Sequence, residues 1–223
     1  MPAAKSHFSS QVRAILEKDI KCELRTSYVI ATLSMFALTA LSSVSMAIAG
    51  AGLTPELAAA LLWVVLFFCA MAGLARVFVQ EAETGTLLGL RLYASAQAVF
   101  CGKCLFNNLL LVGLAVLVIP LFVIFFNIEI SNWLLFLAII LLGCIGIATV
   151  STIMAAIVMT AQGKQAIFTV VTFPILLPQF LCSVRAVTQV FSGDTPEGLI
   201  FMAGYDAAVI AAGLLLFDYL WKD

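Results

Sequence analysis

The residues able to do chemistry are few in this 223-residue chain, and their spacing narrows what that chemistry can be. Cys101-Gly102-Lys103-Cys104 has the C-x-x-C spacing of a dithiol or of half a metal site. No second ligand pair lies nearby, and the segment reads as cytoplasmic, where thiols stay reduced. These cysteines therefore read as small apolar residues, as do Cys22, Cys69, Cys144 and Cys182. No metal site is expected. A G-x-x-x-x-G-K-[ST] phosphate loop is absent, so any ATP-driven step must come from another polypeptide. Arg185 and Asp206 are ionisable groups inside otherwise apolar stretches, at matched depth, with Tyr205 beside the carboxylate. Charges placed so deep face protein or water, and the equal depth predicts a contact between the two, within or between subunits. Snorkelling of Arg185 to the outer headgroups, with Asp206 hydrogen-bonding alone, is the competing reading. Pro174 and Pro178, four residues apart, remove two helical donors and are expected to kink or unwind their helix. No Ser–Lys pair, paired carboxylates or histidine cluster sits in an apolar stretch, so no catalytic residues are assigned.

What positions these groups is an apolar scaffold. Apolar residues make up 64% of the chain and charged ones 10%, with a mean hydropathy of +1.16. Soluble domains run at about 45–50% apolar and about 25% charged. A globule of this size cannot hide that much apolar surface from water. A soluble enzyme, a nucleic-acid binder and a disordered linker are thereby excluded. A hydrocarbon core of about 30 Å takes about 20 apolar residues in a helix. Six stretches qualify: 26–50, 57–79, 104–127, 133–160, 166–191 and 199–217. They must be helices, because lipid offers the backbone no partners and the runs are too uniformly apolar for barrel strands. The fold class expected is an all-α integral membrane protein with six transmembrane helices.

Charge orients the spans. With the N-terminus in the cytoplasm, ten of the eleven basic residues fall inside, all but Arg185. The three outer connections hold only the acids Glu56, Glu129, Asp194 and Glu197. So one-sided a count places both termini in the cytoplasm. Residues 1–25 have no apolar run ahead of the first span and do not read as a cleavable signal. Phe8, Val12, Ile15, Leu16, Ile20 and Leu24 recur there at helical spacing, with Lys18, Asp19, Lys21 and Glu23 between them. An amphipathic helix in the inner interface is expected, and packing on the membrane bundle itself is the alternative. Trp133 and Trp221 read as interfacial anchors.

One inner loop, 80–103, is too polar to span and too apolar to stand free in water. Leu87, Leu88, Leu90 and Leu92 predict a short helix with one greasy side, capped by Thr84 or Thr86, and Gly85 and Gly89 permit close backbone approach. Such an element at the membrane edge suits docking of another protein; a re-entry loop that merely leads the chain into the third span is the alternative.

Glu81, Glu83, Gly85-Thr86-Leu87 and Leu90, followed by Gly102-Lys103 and Asn107-Asn108, resemble the acid-Gly-Thr-Leu loop of ABC-2 type permeases. The stretches 120–128, 148–165 and 174–178, with Gly204-Tyr205-Asp206 and residues 214–220, resemble the CcmB family, the haem exporter protein B permeases of cytochrome c maturation. The resemblance runs from about Phe78 to the C-terminus. It implies an ABC-2 permease fold in the cell inner membrane: residues 1–25 an amphipathic helix, 26–223 a six-helix permease domain, and 80–103 a coupling loop. Glu81, Glu83, Gly85, Thr86, Leu87 and Lys103 become ATPase-coupling positions. The implied partners are an ABC ATP-binding subunit, a second haem-handling membrane subunit, a small single-span subunit and a haem chaperone. The implied task is haem export, or release of the haem-loaded chaperone. His7 is the only histidine and lies outside the spans, so this chain is expected to bind no cofactor; haem is a candidate substrate and ATP belongs to the partner. The alternatives are half of another ABC-2 exporter, for lipid, drug or polysaccharide, and a non-transporting scaffold of a haem-handling complex.

Overall fold

The computed structural model describes residues 8–26, 28–48, 53–74, 81, 85–158 and 164–221. His7, Glu83 and Thr84 lie outside the described residues. Helix α1 (Phe8–Thr26) precedes α2 (Tyr28–Ile48) and α3 (Pro55–Leu74). A short α4 (Leu87–Tyr93) leads into α5 (Ala96–Phe126), α6 (Trp133–Val158), α7 (Lys164–Ser192) and α8 (Leu199–Leu220). All but α1 and α4 are long and apolar enough to cross a membrane, which gives six spans among the described residues.

Local chemistry sets the boundaries. Ser95 is extended, and its Oγ accepts from Ala98 N at 3.3 Å, so α5 starts at Ala96 rather than at Cys104. At about 1.5 Å per residue its 31 residues run about 46 Å, well beyond a hydrocarbon core of about 30 Å. Residues 96–103, expected in the loop, are therefore the projecting first turns of the third span. Asn127, in the left-handed region at φ 48°, ends the helix. Asn132 Oδ1 accepts from Leu134 N and Leu135 N to open α6. Helix α7 runs unbroken through Pro174 and Pro178, so the backbone is not unwound there.

Helix α6 is the central column. Most of its apolar window is buried, whereas α2 and α8 bury only a narrow face each. It packs against α5, α7 and α8. Close approach depends on Gly143, where a Cβ would come within 2.0 Å of the Trp63 ring of α3. Helices α3 and α7 meet through Phe67, whose ring stands edge-on to Phe173 and Phe180 at 5.5 and 5.8 Å. Trp133 is half exposed at the start of α6, as an anchor should be. Trp221 is not: it is buried and stacked on Phe217 at 5.8 Å, because the end of α8 folds against the projecting part of α5.

Candidate functional site

Helix α1 lies across the projecting part of α5. Ile15 is buried, and Gly102 lets the two helices touch, since a Cβ there would stand 2.8 Å from Ile15 Cγ2. The apolar face of α1 is thus largely taken up by the bundle, while Phe8 and Leu24 stay exposed. One turn beyond Ile15, this face carries Asp19, also buried, against Lys103.

Lys103 is 2% exposed, and such a cation is tolerated only when paired. Its Nζ donates to Glu81 Oε1 at 2.8 Å and to Asp19 Oδ1 at 3.1 Å. Asp19 Oδ2 stands 2.9 Å from the same ammonium as an ion contact without hydrogen-bond direction. Lys18 Nζ also donates to Glu81 Oε1 and lies 3.3 Å from Asp19. Two cations and two carboxylates therefore neutralise one another at the rim of the bundle. Burial by itself would raise the Glu81 carboxyl, but Lys103, with hydrogen bonds from Lys103, Lys18 and Thr86, overrides it and holds the group at about 2. Burial would likewise lower Lys18, and Glu81 and Asp19 reverse it to a raised value.

Glu81 also shapes the turn ahead of α4. Thr86 Oγ1 donates to Glu81 Oε2, and Thr86 N donates to Glu81 O at 3.1 Å. The Thr86 side chain thus serves Glu81 and does not cap α4. Gly85 has φ +70°, a conformation glycine adopts without strain, with nothing within 4 Å of a Cβ built there. Among the described residues, neither Gly85 nor Gly89 is in close approach to another part of the chain. Leu87 opens α4. At the far end, Gln11 of α1 accepts from Ser95 N at 3.2 Å and from Ser95 Oγ at 3.1 Å. Helix α1 therefore grips both ends of the α4 segment. Between α1 and α4 lies a groove of about 530 Å³, and Leu92 and Tyr93 project from α4 at 80% and 84% exposure. One turn below Lys103, Asn107 Nδ2 donates to Thr152 Oγ1 of α6 at 2.8 Å, which carries the contact into the central helix.

Of the residues predicted to work together, Glu81, Thr86 and Lys103 meet, while Gly85 only shapes the turn between Glu81 and Thr86 and Leu87 opens α4. The sequence reading missed Asp19, Lys18 and Gln11. Asp19 reads as one of several solvated charges, yet its i,i+4 spacing from Ile15 put it on the apolar face, a signal that was present.

Within one chain, Arg185 and Asp206 do not meet. Arg185 is exposed and makes no salt bridge to Asp206. Asp206 instead faces α7 and α6. Its Oδ1 accepts from Gln179 Nε2 at 3.1 Å, beside Gly146. The second Gln179 N–H reaches Leu142 O at 3.3 Å. Tyr205 donates to Ile175 O, on the turn between the two prolines of α7. Gln179 was missed because an amide raises no alarm in a hydropathy profile.

A family model described as CcmB protein matches residues 10–217, nearly the whole chain. No curated protein matches it. The chain belongs to the CcmB family, and with that membership goes a coarse assignment: a multi-pass membrane protein, the permease component of a haem-exporter ABC system in cytochrome c maturation.

Proposed function

From that membership we propose that this chain is the moving membrane half of the ABC system, driven through α4 by ATP hydrolysis in a partner subunit. Both termini and the Lys103 rim face the cytoplasm of an inner-membrane protein, a reading supported by the one-sided distribution of basic residues. The ATP-binding subunit seats on Leu92, Tyr93 and the α1–α4 groove. Gly89, with open space around it, leaves room for that contact. The second haem-handling membrane subunit, the single-span subunit and the haem chaperone complete the assembly. Haem is cargo, exported or released with its chaperone, and is not held as a resident group of this chain.

The observation that carries this reading is the double attachment of Glu81. Its carboxylate and carbonyl hold the Thr86 turn, and the same carboxylate holds Lys103. A push on α4 therefore reaches α5 through Lys103, α1 through Asp19 and α6 through the Asn107–Thr152 bond. Different contacts in the two nucleotide states would bias these positions. On this reading Glu81, Thr86 and Lys103 are coupling residues through these bonds, with Gly85, Leu87 and Glu83 assigned by resemblance.

Leu92→Glu combined with Tyr93→Glu tests the seat. Both side chains are exposed, so the variant should insert normally while the ATP-binding subunit no longer co-purifies with it. Co-purification at the wild-type level would remove α4 from the coupling path.

A further inference from the structure

The second polar cluster lies within the spans, and its hydrogen bonding is incomplete in a particular way. Gln179 is 1% exposed and Asp206 4% exposed. Both amide hydrogens of Gln179 are used, one on Leu142 O and one on Asp206 Oδ1. The orientation of the amide follows from its surroundings, since a backbone carbonyl can only accept and must face the nitrogen. Among the described residues, Gln179 Oε1 is then a buried acceptor without a donor, and Asp206 Oδ2 is another. The two orphans belong to groups that already touch.

A single hydrogen resolves both. We propose that Asp206 binds a proton in the folded bundle and that the resulting acid pairs with Gln179. The acid O–H at Oδ2 donates to Gln179 Oε1 while Gln179 Nε2 donates to Asp206 Oδ1. Acid and amide close a two-bond ring between α7 and α8. The proton comes from water and adds to the carboxylate, and no other bond changes.

A carboxylate is poorly served at this position. It would receive one hydrogen bond and no cation, although buried charges are normally paired. On its own helix, Tyr205 gives its O–H to Ile175 O, and Asp218 is held by Gln97 at the rim. On α7, Arg185 is exposed and unjoined to Asp206. Helix α6 contributes no charged residue, only the buried thiol of Cys144. The one charge on α5 is Lys103, engaged by Asp19 and Glu81. Gly146 completes the fit, because a Cβ there would stand 2.7 Å from Asp206 Oδ1 and 3.0 Å from Gln179 Nε2. The ring persists only while the proton stays, so a movement that parts α7 from α8 and admits water releases one proton.

Infrared spectroscopy of the chain in membranes, with isotope-labelled aspartate carboxyls, reads this state directly. The expected result at neutral pH is the carbonyl stretch of one protonated aspartic acid among the five aspartates. Asp206→Asn places an amide where the neutral acid stood, and the labelled acid band should vanish. Gln179→Leu removes the partner and should move the wild-type band to the frequency of a less hydrogen-bonded acid, a reading that stands even if Asp206→Asn does not insert. No acid carbonyl in the wild type, or a band that survives Asp206→Asn or is unmoved in Gln179→Leu, overturns the proposal.

Discussion

The rim cluster around Lys103 and the interior cluster around Asp206 both bury ionisable groups, and they solve the problem in opposite ways. At the rim, two carboxylates surround a lysine that is 2% exposed, with Lys18 closing the set. In the interior, a carboxyl group meets, among the described residues, an amide and a glycine but no cation. The rim joins segments distant in sequence: α1, Glu81 and α5. The interior joins α6, α7 and α8, three consecutive spans. Charge pairing acts over long reach and tolerates small displacements, which suits a joint that transmits motion. An amide contact is short-ranged and directional, which suits a joint that fixes helix register.

Removing Lys103 should have the largest effect. Lys103→Met leaves two buried carboxylates without their main cation, and breaking a buried pair in this way costs about 3–5 kcal/mol. Denaturant melts followed by circular dichroism in detergent should show that deficit at neutral pH. The pH dependence sharpens it. Glu81 is held at about 2 against an ordinary 4.5, so the folded wild type binds this proton more weakly than the unfolded chain does. The stability it contributes is full above 4.5 and is lost as the pH falls towards about 2. In Lys103→Met, acid should instead narrow the deficit, because protonation relieves the stranded carboxylates. A deficit that widens with acid would mean that the rim does not depend on this pairing.

The contrast also explains what could be read beforehand. The six spans were legible because hydropathy over about 20 residues is a cumulative signal, insensitive to any one side chain. Their ends were less so: Ser95 caps α5 by a single hydroxyl, and that local bond moved the start of the helix from Cys104 to Ala96. Lys103 and Glu81 stood out as charges beside spans. Asp19, 84 residues from Lys103, could not be paired with it from spacing, although its place on the Ile15 face hinted at burial. Matched depth paired Asp206 with Arg185, but depth says nothing about azimuth around a helix. Around α7 it is Gln179, six residues before Arg185, that points at Asp206.

Gly146→Ala probes the interior joint at a smaller scale. The new methyl would press on Asp206 Oδ1 at 2.7 Å and on Gln179 at 3.0 Å, and overpacking of this kind costs about 1–3 kcal/mol. The thermal midpoint should fall, while the rim, one helix away, should keep its acid dependence. A midpoint equal to the wild type would mean that α6 does not meet α7 and α8 at this point.

Arg185 should matter least to the stability of the chain. Its side chain is exposed and joined to no carboxylate of Asp206, so Arg185→Gln should change stability by no more than about 0.5 kcal/mol. A double-mutant cycle with Asp206→Asn makes the point stronger. Independent sites add to within about 0.3–0.5 kcal/mol, whereas residues in contact couple by about 0.5–3 kcal/mol. Near-zero coupling in unfolding of the isolated chain is expected, since the carboxyl is turned to Gln179 and away from the guanidinium. A coupling above about 1 kcal/mol would restore the pairing suggested by depth and take Asp206 out of its contact with Gln179.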